Sequence, residues 1–450
     1  MRRILWFRRD LRLQDNPLLS LGGEVLPIFI FDTNILQRLR ADDRRVAFIF
    51  SRVLELKTGL QDRGLDLKLY FADPLDVFAS LRQFDFDEVA ANGDYDSYSR
   101  RRDLDVSHML PFNYLHDTYI FRPEEILKAD QTPYLLFTPF YNKAKHLFAK
   151  KHLQEFHFAK HKLLSTDYEG IMKFETSGEV QCEAAIESIG FNSIPMSFNT
   201  PNEVLNAFKL GDYGKNRNIP QLQGTSGLGL HLRFGTLSIR ELLRHLAKQK
   251  RAGIQTEAFF RQLLFRDFYA YLLYYFPHVE KDNFKYPFTG IEDKEKYMAW
   301  CEAKTGVPII DAGINELIQT GRMHNRVRMI CASFFTKDLL LPWQWGEAFF
   351  AQHLLDYDTA SNTLSWQWSA GTGVDPQPYF RIFNPYVQSK KFDKDACYIK
   401  RFCPELSEIN PALLHDENAL FEHTLPHYPK PMLRHKEAAK KALQYFKKVI

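Results

Sequence analysis

Acid, amide and indole side chains crowd the stretch DYDTASNTLSWQW, residues 356–368. Asp356 and Asp358 stand in an apolar, ring-rich neighbourhood, where a carboxylate needs a partner. Asn362 offers both a donor and an acceptor. As a carboxylate pair the two acids suggest general acid–base chemistry, yet no histidine or nucleophilic serine accompanies them in a hydrolase pattern. Trp366 and Trp368 follow, with one residue between them, and then the small, uncharged run Ser369 to Gly373. Such a run lets backbone pass where side chains would clash with a ligand. A second stretch, GRMHNRVRM (321–329), sets Arg322, Arg326 and Arg328 at i, i+4 and i+6. On one helix Arg322 and Arg326 share a face while Arg328 points elsewhere. One face then suits phosphate and the other arginine a buried acid, and a solvated helix reads equally well. A third stretch, GTSGLGLHLRFGTLS (224–238), puts Thr225 and Ser226 before a helical pattern. That is the form of an anion site at a helix N-terminus or, as these residues alone favour, of a plain N-cap.

These residues need a scaffold, and the chain of 450 residues is long enough for two or three domains. Its first ~125 residues alternate strand and helix patterns. Strands are expected at 4–7, 25–32, 65–72, 88–95 and 113–121, with helices at 44–64, 73–84 and 100–110 between them. The alternation predicts a doubly wound parallel sheet, whose strand C-termini at Asp32 and Asn92 to Asp94 mark a ligand crevice. No G-x-G-x-x-G follows the first strand, so the dinucleotide fingerprint is absent. Residues 126–200 read as a connector, with a lysine run that is a solvated face. From 201 to the end the spacing is helical, and 307–341 reads as one helical pattern.

Composition excludes more than it selects. Aromatic residues make up 14% of the chain, which argues for ring-lined interiors first and a ring-stacking ligand second. Net charge is +4, too mild to indicate nucleic acid by itself. The five cysteines (182, 301, 331, 397 and 403) show no C-x-x-C and no histidine at metal spacing. Incidental reduced thiols in a cytoplasmic protein are expected, with no metal site. The apolar start stops at Arg8, too short for a signal peptide. No apolar run approaches membrane-spanning length.

Each motif alone is weak, but their order along the chain is not. The run WQWSAGTGVDPQPYFRIFNPYVQSKKFDKDACYIKRFCPEL (366–406) closely resembles the signature of the photolyase/cryptochrome flavoproteins. So do WFRRDLRLQDN (6–16), FTPF (137–140), TSGLGLHLRFGTLS (225–238), FRDFY (265–269), KTGVPIIDAGINEL (304–317) and MHNRVRM (323–329). The resemblance is strongest to the enzymes that repair cyclobutane pyrimidine dimers. It implies an α/β, Rossmann-like antenna domain (1–125), an interdomain connector (126–200) and an all-α FAD-binding catalytic domain (201–450). It further implies FAD, UV-damaged DNA as partner, a monomer, and a second antenna chromophore that is a folate, a deazaflavin or FMN. Tyr98 and Ser99 stand where a folate-binding Asn-Glu pair is expected, and YDSYSRRRD (95–103) looks more like relatives with a deazaflavin or flavin antenna.

Carried over by the resemblance, Tyr213, Thr225, Ser226 and Leu228 lie at the flavin phosphates, with Gly229 in place of a usual serine. Asn325, Arg328, Asp356, Asp358 and Asn362 surround the flavin ring. Arg328 should pair with Asp356, and Asn362 should face N5 as a rotatable amide. Trp366 and Trp343 match the first two members of an electron-transfer chain. The third tryptophan is replaced by the stretch YPFTG (286–290), leaving Tyr286 or Trp300 as stand-ins. Trp368 matches the floor of the lesion cavity, with Phe265 and Met329 at its sides. Phe259 and Phe265 replace tryptophans, and Gln262 replaces a glutamate, of the dimer-specific class. Gln262 is common in (6-4) photolyases and animal cryptochromes, whereas Asn325 and Met329 match dimer enzymes. Arg326 and Arg381 face DNA phosphates, extended by Lys390 and Lys391. The activity implied is light-driven dimer repair. The alternatives are (6-4) repair or a blue-light receptor without repair, and a dark flavin oxidoreductase would need the missing nicotinamide fingerprint.

Overall fold

A computed structural model describes residues 1–164, 186–192, 197–222 and 224–449. The chain forms two compact units. One comprises residues 1–134, 138–207 and 227–274; the other comprises 135–137, 208–226 and 275–450. The helical segment 227–274 therefore belongs with the α/β sheet, whereas the sequence pattern groups it with the helices that follow.

Among the described residues of the first unit, six strands form one parallel sheet. They are β1 (Arg2–Phe7), β2 (Gly23–Asp32), β3 (Lys68–Ala72), β4 (Glu88–Asn92), β5 (Phe112–Leu115) and β6 (His161–Leu163). The order is β3-β2-β1-β4-β5, and β6 adds to β2. Ile4 pairs with Leu26 on one side and Val89 on the other. Helices Arg44–Gln61, Pro74–Leu81 and Ser97–Ser107 fall between the strands. Apolar runs such as VLPIFIF become central strands because both faces of a doubly wound sheet are covered. Ile4, Trp6, Ile28, Tyr70 and Phe78 form part of the resulting core.

The strand expected at 113–121 ends at Leu115. Asp117 leaves the ladder because Arg12 and Arg240 both donate to its buried carboxylate, at 2.9 and 2.7 Å. Ile120 and Phe121 give their N–H groups to Asp267 instead of to a neighbouring strand. The motif WFRRDLRLQDN is thereby explained as a set of internal ties. Arg9 pairs with Asp94 at 2.7 Å, Arg8 with Asp103, and Asn92 donates to Asp10 at 2.7 Å. These bonds occupy the switch point between β1 and β4. At the end of β2, Asp32 accepts from Tyr98 at 2.6 Å, and Ser99 donates to Asp96 at 2.8 Å.

The second unit is helical. Its core gathers Trp300, Ile310, Val327, Phe335, Trp343, Phe350 and Trp366. The expected helical pattern 307–341 is three pieces. Helix Pro308–Thr320 ends at Gly321 in the left-handed region (φ +67°). Helix Asn325–Ser333 restarts at His324, whose ring nitrogen caps Arg326 N–H, and a π-helical turn Phe334–Asp338 follows. Arg322 thus precedes the helix and does not share a helical face with Arg326, because the left-handed glycine breaks the register. Four cysteines are free thiols, and Cys182 lies outside the described residues. Among the described residues no helix is long and apolar enough to cross a membrane, and no cluster of His, Cys, Asp and Glu could hold a metal ion.

Candidate active site

Helix Thr359–Ala370 sorts the residues of the 356–368 stretch. Asp358 caps it, accepting from Ser361 N–H at 3.0 Å. Trp366 and Trp368 are two residues apart and so diverge by about 200° on the helix. Trp366 enters the core at 1% exposure, whereas Trp368 is half-buried. Ser361 and Ser365 precede Trp368 at helical spacing on the same open face. Gly371, at φ +89°, ends the helix, and the N–H groups of residues 371 to 373 all point to Gln367 O within 3.2 Å. The small run Ser369 to Gly373 is itself buried, so one observed use of its size is this tight wrap.

Asn362 is buried on the same helix. Its Nδ2 donates to the main-chain oxygen of Glu347 at 3.1 Å and to Glu347 Oε1 at 2.8 Å. Both amide hydrogens are therefore used, and the carbonyl oxygen remains as an acceptor. Thr363 also donates to Glu347 Oε1, at 3.2 Å. Burial pushes the Glu347 carboxyl above the ordinary range, against the pull of these hydrogen bonds. Sequence reasoning missed Glu347. Its only signal was an acid within the otherwise ring-rich WQWGEAFF.

Arg328 extends from helix Asn325–Ser333 to Asp356 and binds both carboxylate oxygens, at 3.0 and 3.1 Å. Its Nε donates to Met323 O at 2.8 Å, which fixes the fork. Both side chains retain about a third of their exposure (27% and 31%), so the pair is open on one side. Asn325 and Met329 are neighbours on this helix, with Nδ2 and Sδ 3.8 Å apart. The donor set of a guanidinium–carboxylate pair, a fixed amide carbonyl and an exposed amide suits a polar heterocycle such as a flavin ring. Tyr213 opens the short helix Tyr213–Asn216 and is buried, with Arg217 over its ring at 5.2 Å. Gly224 crosses Asn216 so closely that a Cβ would lie 2.5 Å from its carbonyl oxygen. Thr225 is exposed and Ser226 half-buried.

Trp300, Trp343 and Trp366 share one hydrophobic core. Trp366 meets Phe350 at 5.0 Å, Phe335 at 5.4 Å and Trp300 at 6.2 Å, all edge-on. Trp343 donates its indole N–H to Asn283 at 2.7 Å. The indole nitrogens of Trp366 and Trp300 are buried without a hydrogen-bond partner. Of the two expected stand-ins, Trp300 abuts Trp366 but is wholly buried. Tyr286 is on the surface, stacked on Phe288 at 5.3 Å.

A basic cluster completes this unit. Arg326 donates to Asn218 at 2.9 Å and lies over the Phe392 ring at 4.4 Å. Burial, then repulsion from Arg217 and Arg381, lowers its pKa. Burial first, then repulsion from Arg328, Arg326 and Arg217, holds His324 near 4. Arg381, Lys390 and Lys391 are exposed. In the first unit, helix Glu257–Tyr275 carries Phe259, Gln262 and Phe265 at steps of three, within one third of its circumference. Phe259 is buried and the other two are half-buried, and Arg261 covers the Phe265 ring at 5.7 Å. Leu228, also in that unit, is buried at the start of helix Gly229–Phe234.

Residues 3–157 match the family model for DNA photolyase, and residues 259–448 match that for the FAD binding domain of DNA photolyase. The chain is 33% identical to the deoxyribodipyrimidine photo-lyase of Alkalihalophilus pseudofirmus, over 98% of this chain and 97% of that one. It is equally identical, 33%, to the enzyme of the same name from Halobacterium salinarum, over 99% and 98%. Among solved structures, an archaeal photolyase from Sulfolobus tokodaii described with two FAD molecules superposes with a TM-score of 0.83 at 29% identity, covering 100% of both chains.

Proposed function

Because the chain belongs to the DNA photolyase family, we propose that it repairs cyclobutane pyrimidine dimers in UV-damaged DNA under light, with FAD as its cofactor. FAD, when bound and reduced, would supply light-driven one-electron redox chemistry. The protein supplies position, dryness and charge balance. Tyr213, Thr225, Ser226 and Leu228 would hold the phosphates. Asn325, Arg328, Asp356, Asp358 and Asn362 would hold the ring system. Glu347 takes both amide hydrogens of Asn362, which would leave the carbonyl oxygen as an acceptor for the cofactor without having to reorient. The Arg328–Asp356 pair keeps one negative and one positive charge beside the ring, so neither stands uncompensated.

On the DNA side, a dimer already mispaired costs less to flip out of the duplex. Trp368 would floor the extruded bases, and Phe265 and Met329 would flank them. Phe259 and Phe265 offer flat apolar surface for stacking, and Gln262 offers an amide donor to a thymine carbonyl. Arg326 and Arg381 would meet phosphates, fixing register without reading sequence. Trp366 and Trp343 would carry electrons from the surface to the flavin. The single observation that carries the reading is the Asn362 amide held by Glu347, which, like the Arg328–Asp356 pair, lies inside the segment matched to the FAD-binding domain.

The test is direct. Purified protein is bound to an oligonucleotide bearing one cyclobutane dimer, illuminated with blue light and assayed for restored thymines. Restoration in light and none in darkness is expected. A colourless protein that takes up no FAD, or turnover in the dark alone, removes the proposal. A (6-4) oligonucleotide run in parallel decides which lesion Gln262 serves.

A further inference from the structure

The C-terminal helix His435–Val449 has two faces of opposite character. Ala438, Ala442 and Phe446 are buried along one side. Phe446 packs on Phe288 at 4.6 Å and on Tyr379 at 6.0 Å, and Ile382 joins the same cluster. His435 is tied to Asp338, which anchors the start of the helix. The opposite face carries Lys436, Lys440 and Lys447, all exposed and none in an ion pair among the described residues. These three lysines line one wall of an open groove of about 730 Å³, with Asn384 and Glu417 also lining it. From Lys436 to Lys447 is about 16 Å along the helix, the axial length of roughly five phosphates of one DNA strand.

This groove is continuous with a loop already argued to meet DNA. Asn384 lines it, and Arg381 stands three residues earlier in the same loop, which crosses the buried side of the helix at Tyr379 and Ile382. Helix Pro385–Phe392 follows Asn384 and presents Lys390 and Lys391 to solvent. The helix as a whole holds five lysines against one glutamate. We propose that the Lys436–Lys440–Lys447 face is a second nucleic-acid contact, which takes the phosphate backbone of the duplex flanking the lesion. This rests on the reading of the chain as a DNA repair enzyme. Backbone contacts of this kind carry no sequence or damage information; they lengthen the footprint and raise the encounter rate.

The experiment compares the full-length protein with the triple variant Lys436→Gln, Lys440→Gln, Lys447→Gln, and with the corresponding triple arginine variant. Binding is measured against salt concentration on a 40-base-pair duplex with a central dimer, on the same duplex undamaged, and on a single-stranded pentamer carrying the dimer. Loss of three phosphate contacts lowers the slope of log K against log salt by about 2 to 3 on both duplexes. Affinity at 50 mM salt should fall roughly tenfold or more, the arginine variant should keep the wild-type slope, and the pentamer should bind and be repaired as before. Equal slopes for the wild type and the glutamine variant would overturn the proposal, as would an equal loss on the pentamer. Unchanged duplex binding with lost binding to vesicles of acidic lipid would overturn it in favour of a membrane surface. The undamaged duplex separates two failures: a protein that did not prefer damaged DNA would sink the repair reading while leaving this slope test intact.

Discussion

Lys337 offers a sharp test of how the helical unit is held together. It lies in the π-helical turn Phe334–Asp338 and has no exposed surface. Its ammonium donates to Ala370 O at 2.8 Å and Tyr379 O at 3.3 Å, and lies over the Phe446 ring at 4.2 Å. One lysine therefore joins the end of the Trp366 helix, the loop that leads to Arg381, and the C-terminal helix. Among the described residues no carboxylate neutralises it, and burial drives its pKa down from 10.5 to about 7. Below that value both folded and unfolded chains carry the proton, and the folded chain bears the cost of a desolvated cation. Between about 7 and 10.5 the unfolded chain still holds the proton that the folded one has shed, so stability climbs with pH. The full shift corresponds to about 5 kcal/mol, and the part between pH 6.5 and 9.5 to about 3 kcal/mol. Lys337→Met removes the titration and leaves two carbonyls without their donor, at about 1–3 kcal/mol. Near pH 6.5 the two effects oppose, so the variant should lie close to wild type; near pH 9.5 it should be clearly less stable. Urea unfolding at steps of pH, followed by tryptophan fluorescence, reads this directly, because Trp6 alone among the tryptophans lies outside the helical unit. A difference between the two proteins that stayed constant from pH 6.5 to 9.5 would refute the reasoning.

Three other outcomes follow from named contacts. Gly346→Ala puts a methyl 2.2 Å from Trp366 Cη2, so overpacking should cost about 1–3 kcal/mol, seen as a lower Tm with a shifted tryptophan emission. Asp267 is buried, accepts from two N–H groups, and is raised to about 7, chiefly by burial. Its folded form holds a proton that the unfolded chain releases near 4, so wild-type stability should fall as pH rises from about 4 to 7, and Asp267→Asn should flatten that slope in acid-side melting curves. Arg326→Gln should weaken binding to damaged and undamaged duplex alike and lower the salt slope by about 1, measured by anisotropy titration. An effect confined to damaged DNA would instead place Arg326 at the lesion.

Much of this protein is written locally. Short continuous apolar runs such as VLPIFIF, rich in Ile and Phe, read as buried strands, and their alternation with helical spacing points to a parallel sheet, whose crossovers must cover its faces. The family is likewise carried by short motifs in order, and the Arg328–Asp356 pair follows from the need to neutralise an acid in an apolar setting. The roles of Trp366 and Trp368 could not be separated by composition, but a two-residue step on a helix forces them to opposite sides once the helix exists. What tertiary structure alone decided involves partners far apart in sequence. Asp117, Arg12 and Arg240 stop the fifth strand early, since a buried carboxylate outweighs a few more ladder bonds. Glu347 is invisible as a site residue until its helix packs on that of Asn362. The lysine face of the last helix looks like ordinary solvated charge until burial of Ala438, Ala442 and Phe446 turns it toward a groove. Sequence spacing reports which residues share one element; only packing determines what faces that element from elsewhere in the chain.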